Sequence, residues 1–259
     1  MIAQRPDLRS LLRPVVRKVR RQDPYAGLDP GRKELVDVAL GRLGSRSFAD
    51  LGGVWGVDGG YTFYALERYR PERAVLVDAT VTPWVGERAR RFRRLELVEG
   101  NFGSPDVAAR VGTVDAIFLF DTLLHQVAPD WDAVLELYAP RARAIVVYNP
   151  QWTGGETVRL LDLGPEEYFR NVPHDPHDPT PLGPDGRPLY ARLFERLDEI
   201  HPVHGKPWRD VHSIWQWGIT EADLVGAMSR LGYSLELERS YGRFKSLERF
   251  ERRGFVFVR

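Results

Sequence analysis

The chain has 259 residues, 43% of them hydrophobic and seven of them Trp, enough for a sizeable core in one α/β domain that carries an insertion. With 37 basic and 36 acidic residues, a global polyanion-binding character is not supported. The absence of cysteine excludes disulfides, thiolate catalysis and Cys-ligated metals.

No uninterrupted apolar stretch approaches the length of a bilayer span. The N-terminus also lacks the apolar core and cleavage site of a secretory signal. A soluble, cytoplasmic protein is therefore expected. The first 22 residues carry seven basic residues and one acidic residue, with Leu8, Leu11, Leu12, Val15, Val16 and Val19 at helical spacing. That pattern predicts an amphipathic helix packed on the domain; a phosphate- or membrane-contacting arm is the sharper alternative. "KELVDVALGRL" predicts a second helix with Leu35, Val36, Ala39, Leu40 and Leu43 on one side. Residues 1–45 are read as a helical arm or lid.

From residue 47 the pattern alternates between strand and helix. "SFADL" predicts a strand and "GYTFYALERY" a helix. "RAVLVDA" is a strand ending in Asp78, and "PWVGERARRF" a helix opening on Pro83. "LELVEG", "PDVAARVG", "VDAIFLFD", "DWDAVLELYA" and "ARAIVVYN" continue the alternation, the last strands apolar enough for burial on both faces. Five strand–helix alternations imply a parallel sheet with right-handed crossovers, so residues 46–150 are read as a Rossmann-like core. The regularity breaks at residue 150. Residues 151–217 read as an insertion, with a proline-rich loop, a predicted helix "LYARLFERLDEI" and an aromatic, histidine-rich tail. Residues 218–259 complete the core with a helix opened by a Thr220/Asp223 capping box, then "YSLELERS" and "GFVFVR", two strands expected to be antiparallel.

"DLGGVWGVDGGYT" places five glycines within residues 52–60, between a buried strand and a helix. Backbone N–H groups and the helix dipole can meet a ligand's polar groups there, and bare backbone at Gly52, Gly53 and Gly59 lets a ligand lie close. The dinucleotide fingerprint is not met, since Val54 stands at the second glycine, and no P-loop Gly-Lys-Ser/Thr follows. Asp78, nineteen residues after Gly59, sits where a carboxylate accepts both hydroxyls of a ribose.

These motifs resemble those of class I S-adenosylmethionine (SAM)-dependent methyltransferases over residues 46–150 and 218–259. "FADLGGVWGVDGGYTFYAL" is similar to the family's first motif, "VLVDAT" to the second, "LVEGNFGSPD" to the stretch beside adenine, and "AIFLFDTLLHQVAPDW" to the fourth. The resemblance implies a doubly wound, mostly parallel seven-stranded sheet with an antiparallel last strand, and SAM as cofactor. It implies Asp50 at the methionine amino end, Asp78 with Ala79 at the ribose, and Asn101 with Phe102 at adenine, where the family usually has Asp for Asn101. Asp121, at the end of the fourth strand, joins the implied cofactor set. The first motif is three residues longer than usual, so which of Gly53, Gly56 and Gly59 meets the sulfonium end stays open.

A methyl transfer needs a nucleophile in line with the sulfonium and, for a hydroxyl, a proton acceptor. His125 and His212 are the candidates for that role, and Trp152, His201, His204 and Trp215 for acceptor contacts. "HDPHDP" at 174–179 holds imidazoles and carboxylates, but its proline-rich loop setting does not suit a metal site, and none is expected. "FDTLLHQ" stands where base-methylating relatives carry (Asn/Asp)-Pro-Pro-aromatic, which disfavours a nucleic-acid substrate. The expected acceptor is a small molecule. The alternatives are an RNA or protein substrate met by the basic arm, or a SAM-binding module without transfer.

Overall fold

The computed structural model describes residues 23–175, 177, 188–202, 204–245 and 247–259. The predicted arm helix over residues 8–19 and most of "HDPHDP" lie outside them. Within the described residues a seven-stranded sheet runs in the order β3-β2-β1-β4-β5-β9-β8. Its members are β1 (Ser47–Leu51), β2 (Arg73–Asp78), β3 (Leu95–Glu99), β4 (Val114–Phe120), β5 (Ala142–Trp152), β8 (Ser234–Arg243) and β9 (Phe250–Val258). The first five pair in parallel, whereas β9 runs antiparallel between β5 and β8.

Helices α1 (Pro30–Val36), α2 (Gly60–Tyr69) and α3 (Pro83–Ala89) cover one face, and α4 (Pro105–Val111), α5 (Trp131–Tyr138) and α7 (Glu221–Arg230) the other. The strands explain the layering. Phe48, Ala74, Leu76, Ala116, Phe118 and Val146 point into the α1–α3 side, while Ala49, Val75, Val77, Ile117, Leu119 and Ile145 point into the α4–α7 side. Alternate residues thus meet opposite helix layers, which is why these strands read as continuous apolar runs.

After α1 the chain continues in a wider, π-helical turn (Asp37–Arg42), so the expected second helix forms with its Leu35, Val36, Ala39 and Leu40 buried. Helix α7 is capped as expected by Thr220, whose Oγ1 accepts from the Asp223 amide at 3.2 Å. Asp223 does not return the bond to the Thr220 amide; its carboxylate accepts from the Thr157 amide at 3.1 Å, and Thr157 Oγ1 accepts from the Thr220 amide at 2.9 Å. The capping box is therefore spread across the start of the insertion.

Three boundaries differ from expectation. Strand β5 does not stop at residue 150 but runs through Pro150 to Trp152. Its β4 partner ends at Phe120 opposite Tyr148, so the proline falls where only β9 pairs and one strand side needs no N–H donor. The terminal strands are longer than expected, leaving only residues 244–249 between them. The predicted helix over 189–200 is absent: turns and one short 3-10 turn (Leu193–Glu195) replace it, with Arg192 at φ +55°. Leu189, Tyr190 and Leu193 instead enter a third cluster with Tyr168, Trp208 and Trp215, and that packing overrides helical spacing. The insertion also contributes α6 (Pro165–Asn171) and a two-stranded ladder of β6 (Val158–Arg159) with β7 (Trp217–Gly218). Among the described residues no helix is long and apolar enough to cross a membrane.

Candidate active site

Strand order reverses between β1 and β4, the point where open α/β sheets leave a crevice beyond their carboxyl ends. A cavity of about 610 Å³ lies there. It is bounded by the loop after β1, the ends of β2 and β4, the turn after β3, and Arg32 of α1.

The loop after β1 turns at Gly52, whose φ of +79° excludes most side chains and where a Cβ would lie 2.5 Å from Thr122 Cγ2. At Gly53 the obstacle is chemical: a Cβ would come within 2.5 Å of the Asp50 carboxylate. Gly52, Gly53 and Gly56 all line the cavity. Gly59 does not. It starts α2 in the left-handed conformation at φ +70°, with Phe63 and Leu76 packed behind it, so its place in the motif is conformational.

Asp50, buried at the end of β1, accepts from Thr62 Oγ1 at 2.6 Å. Burial pushes its pKa up to about 6; the Thr62 bond and the Arg32 charge oppose that rise, and Asp78 adds to it. Asp78 ends β2 and faces the same cavity beside Ala79. Its Oδ2 accepts from the Val54 and Trp55 amides at 2.8 and 3.1 Å, which ties the glycine loop to the strand end. Asn101 and Phe102 close the β3 side; Asn101 Oδ1 accepts from the Gly103 amide at 2.8 Å, and the Phe102 carbonyl accepts from Tyr138 at 2.8 Å.

Asp121 follows β4 with φ +54°, rare for a side chain outside glycine, and pairs with Arg32. Burial raises its pKa to about 6 against the pull of Arg32. His125, in the next turn, lines the cavity, and its Nδ1 lies 2.9 Å from the Ile214 carbonyl. A carbonyl only accepts, so Nδ1 carries the proton and Nε2 keeps its lone pair. Burial draws the His125 pKa down to about 4 although the Ile214 bond opposes the change. His212 reaches the cavity from the insertion, and its pKa lies below the usual range through burial, then through His204 and Lys206. Both imidazoles are therefore neutral at pH 7.

The remaining expected contacts lie elsewhere. His201 is fully buried with its ring 4.2 Å from Trp208 and 4.5 Å from His204, and neither His201 nor His204 lines the cavity. His204 stands behind His212 at 5.4 Å between ring centroids. Trp152 and Trp215 are buried in the insertion's cluster, each against Phe250. Trp215 backs His125 edge-on at 6.1 Å. Large aromatics in this tail fill a core before they can face a ligand. Conversely, Arg32, Tyr61, Trp55 and Ser213 line the cavity without a sequence signal that pointed to them. Arg32 sits in an ordinary helix start, and Trp55 in the lengthened part of the glycine loop. Among the described residues no group of three or more His, Asp or Glu is placed to hold a metal ion.

No family model and no curated protein matches the chain. Solved structures do. The Burkholderia thailandensis 1,6-didemethyltoxoflavin-N1-methyltransferase, with 1,6-didemethyltoxoflavin and S-adenosylhomocysteine bound, aligns over 87% of this chain and 76% of its own, at 14% identity and TM-score 0.54. The fold is that of the class I methyltransferases. The methyltransferase domain of bacterial CtHen1 aligns over 88% of this chain and 97% of its own, at 15% identity and TM-score 0.51. The N-terminal domain of EvdMO1, in the presence of S-adenosylhomocysteine and D-fucose, aligns over 92% and 83%, at 16% identity and TM-score 0.51. This chain spans only 55% of the length of another similar structure, an O-methyltransferase family protein from Burkholderia thailandensis, with 16% identity and TM-score 0.47.

Proposed function

We propose that this protein is a SAM-dependent methyltransferase that transfers a methyl group to an oxygen or nitrogen of a small molecule. One observation carries the reading: the Asp78 carboxylate and the bare backbone at Gly52 and Gly53 face one cavity with Asn101 and Phe102. A ribose, a methionine end and a purine each find the chemistry they need along its wall. S-adenosylhomocysteine bound to two proteins of the same fold agrees with this.

In the transfer, the acceptor's lone pair forms the new bond to the methyl carbon while the C–S bond breaks and its electron pair stays on sulfur. The sulfonium becomes a neutral thioether. A hydroxyl acceptor must also lose a proton. A neutral His212 at the cavity wall is suited to take it, and His125, with Nδ1 already committed to Ile214, is suited to accept a hydrogen bond through Nε2 and orient the acceptor. A pKa near 4 makes His125 the weaker base of the two. The insertion brings His212 and Ser213 to the cavity, which assigns residues 151–217 a part in choosing the acceptor.

The test begins with calorimetric binding of SAM and S-adenosylhomocysteine to the purified chain, followed by mass spectrometry of any co-purifying acceptor. With an acceptor in hand, conversion of SAM to S-adenosylhomocysteine is followed for wild type and His212→Asn. General-base catalysis is typically worth about 10²–10⁴-fold, so a hydroxyl acceptor predicts a loss of at least a hundredfold in kcat. Wild-type turnover by His212→Asn would return that residue to the scaffold. Absence of cofactor binding would refute the whole reading.

A further inference from the structure

Arg32 is the one Arg or Lys among the described residues that line the cavity, where Asp50, Asp58, Asp78 and Asp121 supply the carboxylates. Its position is fixed from both sides. Asp29 caps α1 by accepting from the Arg32 amide at 3.1 Å, and the guanidinium lies over the Tyr148 ring at 4.9 Å and the Tyr61 ring at 5.5 Å from their centroids. Arg32 Nη2 donates to Asp121 Oδ2. Asp121 is held in turn by its own backbone, which donates to the Tyr148 carbonyl at 2.7 Å.

The pair leaves chemistry unused. Arg32 Nε and Asp121 Oδ1 are both buried without a hydrogen-bond partner among the described residues. Buried ion pairs rarely stabilise a fold more than apolar residues of the same volume would, and unpaired buried polar atoms cost more still. A left-handed backbone at Asp121 adds strain to that cost. Such a concentration of unfavourable features in a cavity wall points to a ligand that relieves them.

Resting on the cofactor reading above, we propose that Arg32 and Asp121 form an α-amino-acid subsite. Arg32 donates to the ligand's α-carboxylate through Nε, and Asp121 accepts from its α-ammonium through Oδ1. The pair is neutral as a unit and so is the zwitterion it would hold, so binding fills both vacant positions without burying net charge. The planar guanidinium, clamped between two tyrosines, is preorganised for a carboxylate in a way that a lysine is not. The subsite lies at the methionine end, because Asp50 at the head of the glycine loop is close enough to Arg32 to feel its charge.

An acidic acceptor could in principle use the same guanidinium, and the experiment separates the two sources of carboxylate. Calorimetry compares S-adenosylhomocysteine with 5′-methylthioadenosine, which keeps the purine and ribose but lacks the amino-acid end. Arg32→Gln and Asp121→Asn are expected to weaken S-adenosylhomocysteine at least tenfold and methylthioadenosine less than twofold. Arg32→Lys, which keeps the charge without the fork, should fall between wild type and Arg32→Gln. Retained methylthioadenosine binding shows that the variants are folded. If Arg32→Gln fails to fold, Arg32→Lys and Asp121→Asn carry the same comparison. Unchanged S-adenosylhomocysteine affinity overturns the proposal, including where the KM of an acidic acceptor rises instead. Equal loss of both nucleosides in the folded variants also overturns it. Failure of the wild type to bind either nucleoside refutes the cofactor reading itself, a result distinct from these.

Discussion

Asp78→Ala removes one carboxylate with two duties, and their magnitudes can be separated. The first is to the chain itself. Oδ2 accepts from the amides of Val54, which is buried, and Trp55, which is 71% exposed. The Trp55 amide can turn to water, whereas a stranded Val54 amide costs about 1–3 kcal/mol. That range is the expected loss of stability in urea unfolding without ligand. The second duty is to the ribose. Two hydrogen bonds to a charged acceptor are each worth about 1.5–3 kcal/mol, so even the smaller value for one bond is about tenfold in affinity. Asp78→Asn resolves the two. Its amide oxygen can still accept from the loop, so stability stays near wild type, but it cannot offer two acceptor oxygens to a diol. S-adenosylhomocysteine should therefore bind Asp78→Asn at least tenfold more weakly with the unfolding midpoint unchanged. Wild-type affinity in both variants would refute the ribose assignment, and unchanged stability in Asp78→Ala would show that the loop does not depend on this carboxylate.

Gly53→Ala places a methyl group 2.5 Å from the Asp50 carboxylate, which Thr62 holds in place, so it should lower stability by about 1–3 kcal/mol in urea unfolding and weaken S-adenosylhomocysteine in calorimetry. Trp152→Ala should cost about 3–5 kcal/mol of stability while leaving S-adenosylhomocysteine affinity within about twofold, because Trp152 is buried against Phe250 outside the cavity lining. The pH dependence has two signs. Asp50 and Asp121, raised to about 6, hold protons more tightly folded than unfolded; their stabilisation is complete below pH 4 and is lost as pH rises through 6. His125, lowered to about 4, contributes stability above pH 6.5 that disappears as pH falls through 4, and His125→Gln should remove that decline from a series of unfolding curves. Cofactor affinity should fall between pH 7 and 5 as the two carboxylates take up protons, and Asp121→Asn should flatten that profile.

Much of the fold is legible because its strands are. Strands β1 to β5 are apolar on both faces and separated by helices with clear starts, such as Thr82-Pro83 and Thr220, so their order and parallel pairing follow from pattern alone. The carboxylates Asp50, Asp78 and Asp121 are legible for the same reason: each stands at or just beyond a strand's carboxyl end. Arg32 is not, because nothing local distinguishes a helix-borne arginine that turns into a cavity from one that stays in water. The helix expected over 189–200 fails on a different ground. Leu189, Tyr190 and Leu193 have helical spacing, yet they are drawn into the cluster around Tyr168, and no local signal records that long-range packing. Pro150 misleads in the opposite direction, since it is a strand breaker only where both sides of the strand are paired.

The insertion's geometry changes what a lid can mean for this protein. Its aromatic residues form a core of their own over the β5 and β9 ends, and it is bonded into the turn after β4 at three points. The Gln216 amide donates to the Leu124 carbonyl at 3.0 Å, His125 Nδ1 to Ile214 at 2.9 Å, and Trp217 Nε1 to the Gln126 carbonyl at 2.8 Å. A flap that opens freely would have to break these bonds and expose Trp215. The segment is better understood as a fixed wall that carries His212 and Ser213 to the cavity and locks the tautomer of His125 in the same contact. Acceptor choice and histidine chemistry are then coupled through Ile214: a change that shifts this short stretch moves His212 and releases Nδ1 of His125 together. Entry to the cavity falls instead to the other rim, the lengthened glycine loop with Trp55 at its exposed tip and Asp78 as its anchor.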